Sequence, residues 1–206
     1  MPVRPIIALG VLAAVLAGCG TAPARHAGRG RAGWTSFRDA RNGLTVRFPS
    51  AWHRVRGSLT PHLADPTEIL SVGTMAVPHP VNETCPELPV AGLRAAGARD
   101  VFLSLQERRV PGDGFAPRAR PFRLGVGEDE SRPGGSSLAG TCARGRRPWW
   151  SYWRLFSDAG RRFYLLAVIG DQAPARRVRQ LHQVIDSLRF ERIDPLAPFP
   201  RGGSAR

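Results

Sequence analysis

The run Arg146-Arg147-Pro148-Trp149-Trp150-Ser151-Tyr152-Trp153-Arg154 gathers the side chains best suited to making specific contacts. On a strand, Trp150 and Tyr152 face one way and Trp149 and Trp153 the other, so both faces carry large aromatics. One set is expected to belong to a core. The other, with Arg154, is expected to form an exposed stacking shelf, a binding surface for sugar rings or a partner protein through stacking and cation–π contact.

Catalytic and metal chemistry leave no comparable trace. The histidines are His26, His53, His62, His79 and His182, and none belongs to an H-E-x-x-H, H-x-H or H-x-E arrangement. No G-x-S-x-G elbow accompanies them. His62 and Asp65 lie three apart in a Pro-flanked loop and read as surface residues rather than a partial metal site. Glu128-Asp129-Glu130 reads as a solvated acidic loop, and the sequon Asn82-Glu83-Thr84 carries little weight. Of Cys19, Cys85 and Cys142, none sits in a C-x-x-C unit and zinc spacing is absent. No catalytic residue, metal or cofactor is expected.

The charge balance is lopsided: 30 basic against 16 acidic residues, a formal net +14. Every basic side chain other than histidine is arginine, the mark of a G+C-rich coding bias. The arginines from Arg38 to Arg192 come in ones and twos rather than clustering, which argues against nucleic acid as a partner. An anionic envelope surface remains compatible with them. Gly and Pro make up roughly a fifth of the 206 residues, below the level of low-complexity disorder, and 42% hydrophobic residues supply a packed core.

Residues 1–18 carry one early charge, Arg4, then the apolar run Pro5 to Leu16 and the small pair Ala17-Gly18. The run falls short of the ~20 residues of a permanent membrane span and fits the hydrophobic region of a signal peptide. The string Leu16-Ala17-Gly18-Cys19 resembles the bacterial lipobox. That resemblance implies alkylation of the Cys19 thiol by a diacylglyceryl group and cleavage between Gly18 and Cys19. The alternative is an ordinary signal peptide whose cleavage site contains cysteine. Residues 19–33, small and polar with Arg25, Arg29 and Arg31, read as a tether with a mean span of roughly 20 Å.

Residues 34–193 alternate between strand-like and helix-like periods and are expected to form one α+β domain, an antiparallel β-sheet flanked by helices. Trp34 to Asp39 leads through Asn42-Gly43 into Leu44-Thr45-Val46-Arg47-Phe48, a hairpin that turns Leu44, Val46 and Phe48 to the core. Pro49 stops the strand and Trp52 anchors the next segment. Glu68 to Val77, Val101 to Gln106, Phe122 to Val126, Trp150 to Phe156 and Phe163 to Ile169 read as further strands. The last is central, covered on both faces, and joined to its predecessor through Ser157-Asp158-Ala159-Gly160.

A short helix is expected over Pro89 to Ala96 with Gly97 past its end, and a second over Ala173 to Leu188 with Asp171 as its cap. The second puts Val178, Leu181, Val184, Ile185 and Leu188 on one stripe. The tail 194–206, rich in Pro, Gly and Arg, is expected to be disordered.

The opening Phe37-Arg38-Asp39 with Asn42 to Trp52, and the closing Val184-Ile185-Asp186-Ser187-Leu188-Arg189-Phe190, resemble the ends of PsbP-like domains. The resemblance implies an α/β/α sandwich. Cys85, the Pro89-to-Ala96 helix and Phe115-Ala116-Pro117-Arg118 are similar to exported proteins of G+C-rich Gram-positive bacteria. No family catalytic or ligand residue carries over.

If Cys19 is lipidated, Cys85 and Cys142 remain as an even pair in an oxidising compartment, and a disulfide is expected. The alternatives are two free thiols or a metal pair. The expected role is that of a non-enzymatic envelope lipoprotein, held by its lipid on the extracytoplasmic face of the cell membrane, binding a partner protein or cell-surface polymer. A carrier of an apolar ligand would need a large cavity in the sheet–helix interface. An envelope hydrolase would need a nucleophile–base or paired-carboxylate constellation, which no spacing suggests.

Overall fold

Alternation of apolar and polar residues is what the first hairpin is built from. Leu44, Val46 and Phe48 are buried, whereas Arg47 between them is exposed. Strand β1 (Trp34–Asp39) pairs antiparallel with β2 (Leu44–Pro49), and the closing pair is Asp39 with Leu44. The connection is therefore a four-residue loop rather than a two-residue turn on Asn42-Gly43, and of those two only Gly43 has positive φ, +54°. The Asp39 carboxylate holds this loop by accepting from the amides of Arg41 (3.0 Å) and Asn42 (3.1 Å) and from the Asn42 side chain (2.7 Å).

The computed structural model describes residues 33–78, 85, 87–110, 123–124, 142 and 148–192. The signal-like segment 1–18, Cys19 and residues 20–32, the acidic loop 128–130, the sequon, His26, His79 and the tail 194–206 lie outside the described residues. So does most of the strand expected over 122–126. The remaining elements are β3 (His53–Arg54), β4 (Thr67–Gly73), α1 (Val90–Ala95), β5 (Val101–Arg108), β6 (Trp149–Asp158), β7 (Arg161–Gly170), α2 (Ala175–Ser187) and β8 (Arg189–Phe190).

These elements make an α+β fold with two antiparallel sheets where one was expected. The smaller has the order β1-β2-β8 and the larger β3-β4-β5-β7-β6. β7 lies inside the larger sheet, and Leu165 to Gly170 are buried without interruption, as its apolar run required. The β6–β7 turn is a two-residue loop in which Ala159 (φ +51°) and Gly160 (φ +78°) both take the left-handed conformation. That geometry matches the twist of the paired strands.

One core joins the two sheets. Leu44, Val46 and Phe48 of β2 meet Val101, Leu103 and Leu105 of β5, Leu165, Ala167 and Ile169 of β7, and Leu181, Val184 and Ile185 of α2. The stripe read on α2 is thus its buried face. Asp171 does not cap this helix. Pro174 occupies the N-cap and no side chain accepts there, because the chain between Gly170 and Pro174 turns on backbone bonds instead.

The opposite face of the larger sheet carries a second core, in which Leu88, Val90, Leu93 and Leu59 pack on Phe102, Leu166 and Val168. Gly92 of α1 sits so close to the Phe102 ring that a β-carbon there would overlap it. The end of α1 does not use Gly97 as a left-handed cap. The Asp100 carboxylate accepts the Gly97 amide (3.1 Å) and the Thr74 hydroxyl (2.8 Å), stopping β4 at Gly73, short of the expected Val77.

An ion pair within the larger sheet reaches across to the smaller one. Arg161 Nε and Nη2 each donate at 2.7 Å to the two carboxylate oxygens of Glu107, and both side chains are nearly fully buried. The guanidinium lies over the rings of Phe163 (5.1 Å) and Phe190 (5.6 Å) and reaches the Glu191 carbonyl just past β8 (3.3 Å). Removing one member strands a charge where water cannot reach it. Glu107→Ala is expected to lower unfolding free energy by about 3–5 kcal/mol, read from urea denaturation of the purified chain.

Candidate functional site

The aromatic strand comes first because the sequence singled it out. β6 pairs along its whole length with β7, from Trp149 opposite Gly170 to Asp158 opposite Arg161. The alternation holds: Trp150 and Tyr152 turn to the core shared with α2, and Trp149 and Trp153 to the core under α1. The exposed shelf does not. Trp149 is 7% exposed, Tyr152 0% and Arg154 5%, while Trp150 and Trp153 are half-buried. Trp153 spends its ring on Tyr164, 5.5 Å away between centroids. Both faces of the larger sheet are covered, so aromatics on both faces of β6 are packing residues.

A concave surface lies instead between the first hairpin and β4. It is a cleft of about 190 Å³ whose lining includes Phe37, Asn42, Arg54, Gly57, Glu68 and Ser71. A register shift in β4 between Glu68 and Leu70 shapes its floor. Ile69 and Leu70 both enter the core, which leaves Glu68 and Ser71 together although they are three residues apart. The Ser71 hydroxyl donates to Glu68 Oε1. Glu68 Oε2 accepts from the amides of Leu59 (2.5 Å) and Thr60 (3.0 Å) and from the Ser58 hydroxyl (3.0 Å).

That carboxylate therefore clamps residues 58–60 against β4 and is saturated with donors. The chemistry the cleft offers comes from Arg54, whose guanidinium stacks over Phe37 at 4.3 Å. Arg54 is exposed, and its other contact is a 3.5 Å approach to the Val55 carbonyl. A stacked, exposed guanidinium suits a carboxylate, phosphate or sugar hydroxyl. Sequence reading missed this grouping. The hairpin was legible, but the bulge and the two-residue β3 that bring Arg54 over Phe37 leave no periodic signal.

No described histidine is among the residues lining the cleft. His53 and His62 are exposed. His182, half-buried on α2, brings Nε2 to 3.1 Å from both the amide and the carbonyl of Leu124, beside the ion pair of Arg123 with Asp186 (3.0 and 3.1 Å). Burial pulls its pKa below 6.5; Arg123 adds to that, while donation from Nε2–H to the Leu124 carbonyl and the charge of Asp186 oppose it. Among the described residues no histidine hydrogen-bonds a hydroxyl or carboxylate.

Cys85 and Cys142 are joined, with their Cα atoms 5.8 Å apart. The Glu87 carboxylate lies near both sulfurs, but sulfurs bonded to each other are not metal ligands, so the metal-pair alternative lapses. The bond closes a loop of 57 residues and pins Cys85, just ahead of α1, to buried Cys142 in the second core. In the chain-entropy model such a closure stabilises the fold by about 4 kcal/mol.

His182 gives a pH prediction. Its folded pKa is depressed, so the unfolded chain takes up the proton first, and stability falls as pH drops below the unfolded value near 6.5 toward the lower folded one. NMR titration is expected to place the His182 midpoint below 6.5, and His182→Gln is expected to flatten the loss of stability between about pH 7 and pH 5. A midpoint at or above 6.5 contradicts the burial account. The chain matches no family model, no curated protein and no solved structure.

Proposed function

We propose that the chain is an extracytoplasmic lipoprotein, anchored through acylated Cys19, whose PsbP-like domain serves as a non-enzymatic binding or accessory module. The observation that carries the reading is how the three cysteines divide. Cys19 lies in the lipobox-like string Leu16-Ala17-Gly18-Cys19, and the two that remain are bonded to each other. Such a bond persists in an oxidising compartment and is rare in a reducing one. Two acyl chains suffice for stable anchoring, at about 0.8 kcal/mol for each buried methylene.

Further support for a PsbP-like domain comes from its two ends. The opening hairpin and the closing α2–β8 connection lie side by side, with Leu44 paired to Phe190 and Thr45 to Arg189. The partner is an envelope protein or cell-surface polymer. With the β6 aromatics consumed by packing, the Arg54–Phe37 cleft is the surface offered for it. Anchoring confines that cleft to a thin layer above the bilayer and so raises its effective concentration for membrane-proximal partners.

The test is fractionation of the source cell. The wild-type chain is expected in the membrane pellet, resistant to alkaline carbonate and released by detergent. Cys19→Ser, which removes the acyl-accepting thiol, is expected to lose the mass of the diacylglyceryl group and, being left uncut, to retain residues 1–18. Two lipid-free chains whose masses differ only by the sulfur-for-oxygen exchange overturn the reading.

A further inference from the structure

We infer that the outer face of the three-stranded sheet docks on an anionic phospholipid bilayer, a role that rests on the lipid-anchored reading above. Strand register assembles this face from arginines that are far apart in sequence. Arg38 of β1 lies opposite Thr45 of β2, which lies opposite Arg189 of β8, and Ser36 opposite Arg47 forms the next row. Phe37, Val46 and Phe190, on the alternate positions, pack into the core. The pleat therefore forces Arg38, Arg47 and Arg189 outward together, and all three are exposed.

The face is basic without being uniformly so. Glu191 meets Arg38 at 2.9 Å on the surface, and Arg189 is held near the end of α2 by the carbonyls of Asp186 and Leu188. Asp186 pairs with Arg123, and Asp39 is engaged in the hairpin loop. Arg41 and Arg192 add exposed positive charge at the margins. Beside the arginines lies a shallow depression of about 260 Å³ lined by Trp34, Arg47, Gln183 and Ser187, and Trp34 is half-buried. An indole at the rim of a guanidinium cluster is the pairing favoured at a headgroup layer, where the ring is amphipathic and arginine binds phosphate bidentately.

Chain position selects a bilayer over other polyanions. Trp34, the first residue of β1, follows Cys19 by 15 positions. That interval carries Arg25, Arg29 and Arg31. The sheet that begins at Trp34 is thus the part of the domain closest in sequence to the lipid. Each arginine near an anionic surface adds attraction that fades within a Debye length, about 10 Å at 0.1 M salt.

The experiment uses the full chain carrying Cys19→Ser, so that acylation contributes nothing and failure here is separate from failure of the anchoring reading; the apolar run Pro5 to Leu16 is common to every variant, and its contribution is removed by subtracting binding to phosphatidylcholine alone. Co-sedimentation with phosphatidylcholine vesicles is compared with vesicles containing phosphatidylglycerol. Arg38→Gln/Arg47→Gln/Arg189→Gln is expected to weaken the phosphatidylglycerol-dependent part by at least about tenfold, and the Lys triple at the same positions to retain it. A control of equal charge loss, Arg56→Gln/Arg99→Gln/Arg176→Gln, is expected to lose far less. Unchanged thermal midpoints establish that the variants fold, and Arg47→Gln alone serves if the triple does not.

Equal losses in both Gln triples reduce the effect to net charge and overturn the proposal. So does wild-type binding indifferent to phosphatidylglycerol. So does a face triple that abolishes retention on soluble dextran sulfate while leaving vesicle binding intact.

Discussion

Arg161 and Glu107 are oppositely charged, nearly water-free, and placed where two sheets meet, and that placement constrains much of the molecule. A buried pair of this kind contributes little net stability, since desolvation offsets most of the attraction, but it penalises any arrangement that separates the partners. Glu107 comes from β5 and Arg161 from the start of β7, and the guanidinium also covers Phe190 of β8. Register in the larger sheet and docking of the smaller one are thereby set together. Phe163 stacks on Phe190 at 4.0 Å and on Phe156 at 5.1 Å, so the charge sits on an aromatic platform spanning the seam.

Closing the seam decides where function can reside. With α2 and the small sheet on one side of the large sheet and α1 with its flanking segments on the other, the central strands have no free face. In the proposed function, binding falls to the periphery: to the cleft where β3 is only two residues long, and to the outer surface of the small sheet. Each offers exposed arginine, Arg54 in the cleft and Arg38, Arg47 and Arg189 on the sheet, and β1 contributes to both. A lipid-anchored module that meets its bilayer with one surface and a partner with another would be organised this way.

Periodic features were legible in the sequence. The Leu44-Val46-Phe48 alternation, the continuous burial after Leu165 and the α2 stripe each follow from one side chain per position and one fixed period. What escaped depends on contacts between distant segments. Whether Trp149 and Trp153 are exposed is decided by what lies over β6, and that comes from residues as remote as Leu59 and Val90. The helix ends were misread for a related reason: Asp100, Thr74 and backbone amides do the work that Asp171 and Gly97 promised locally. Arginines that look scattered along the chain form an ordered set only once β1, β2 and β8 are in register.

The division of the three cysteines is the central claim, and thiol accounting tests it most directly. Protein isolated from its own cells under acid trapping, denatured and alkylated without reductant, is expected to show no reactive thiol. Cys19 is expected to carry lipid, and the Cys85 and Cys142 peptides to run as one linked species that separates after reduction. Three alkylated cysteines, with the segment ahead of Cys19 still attached, would contradict the account.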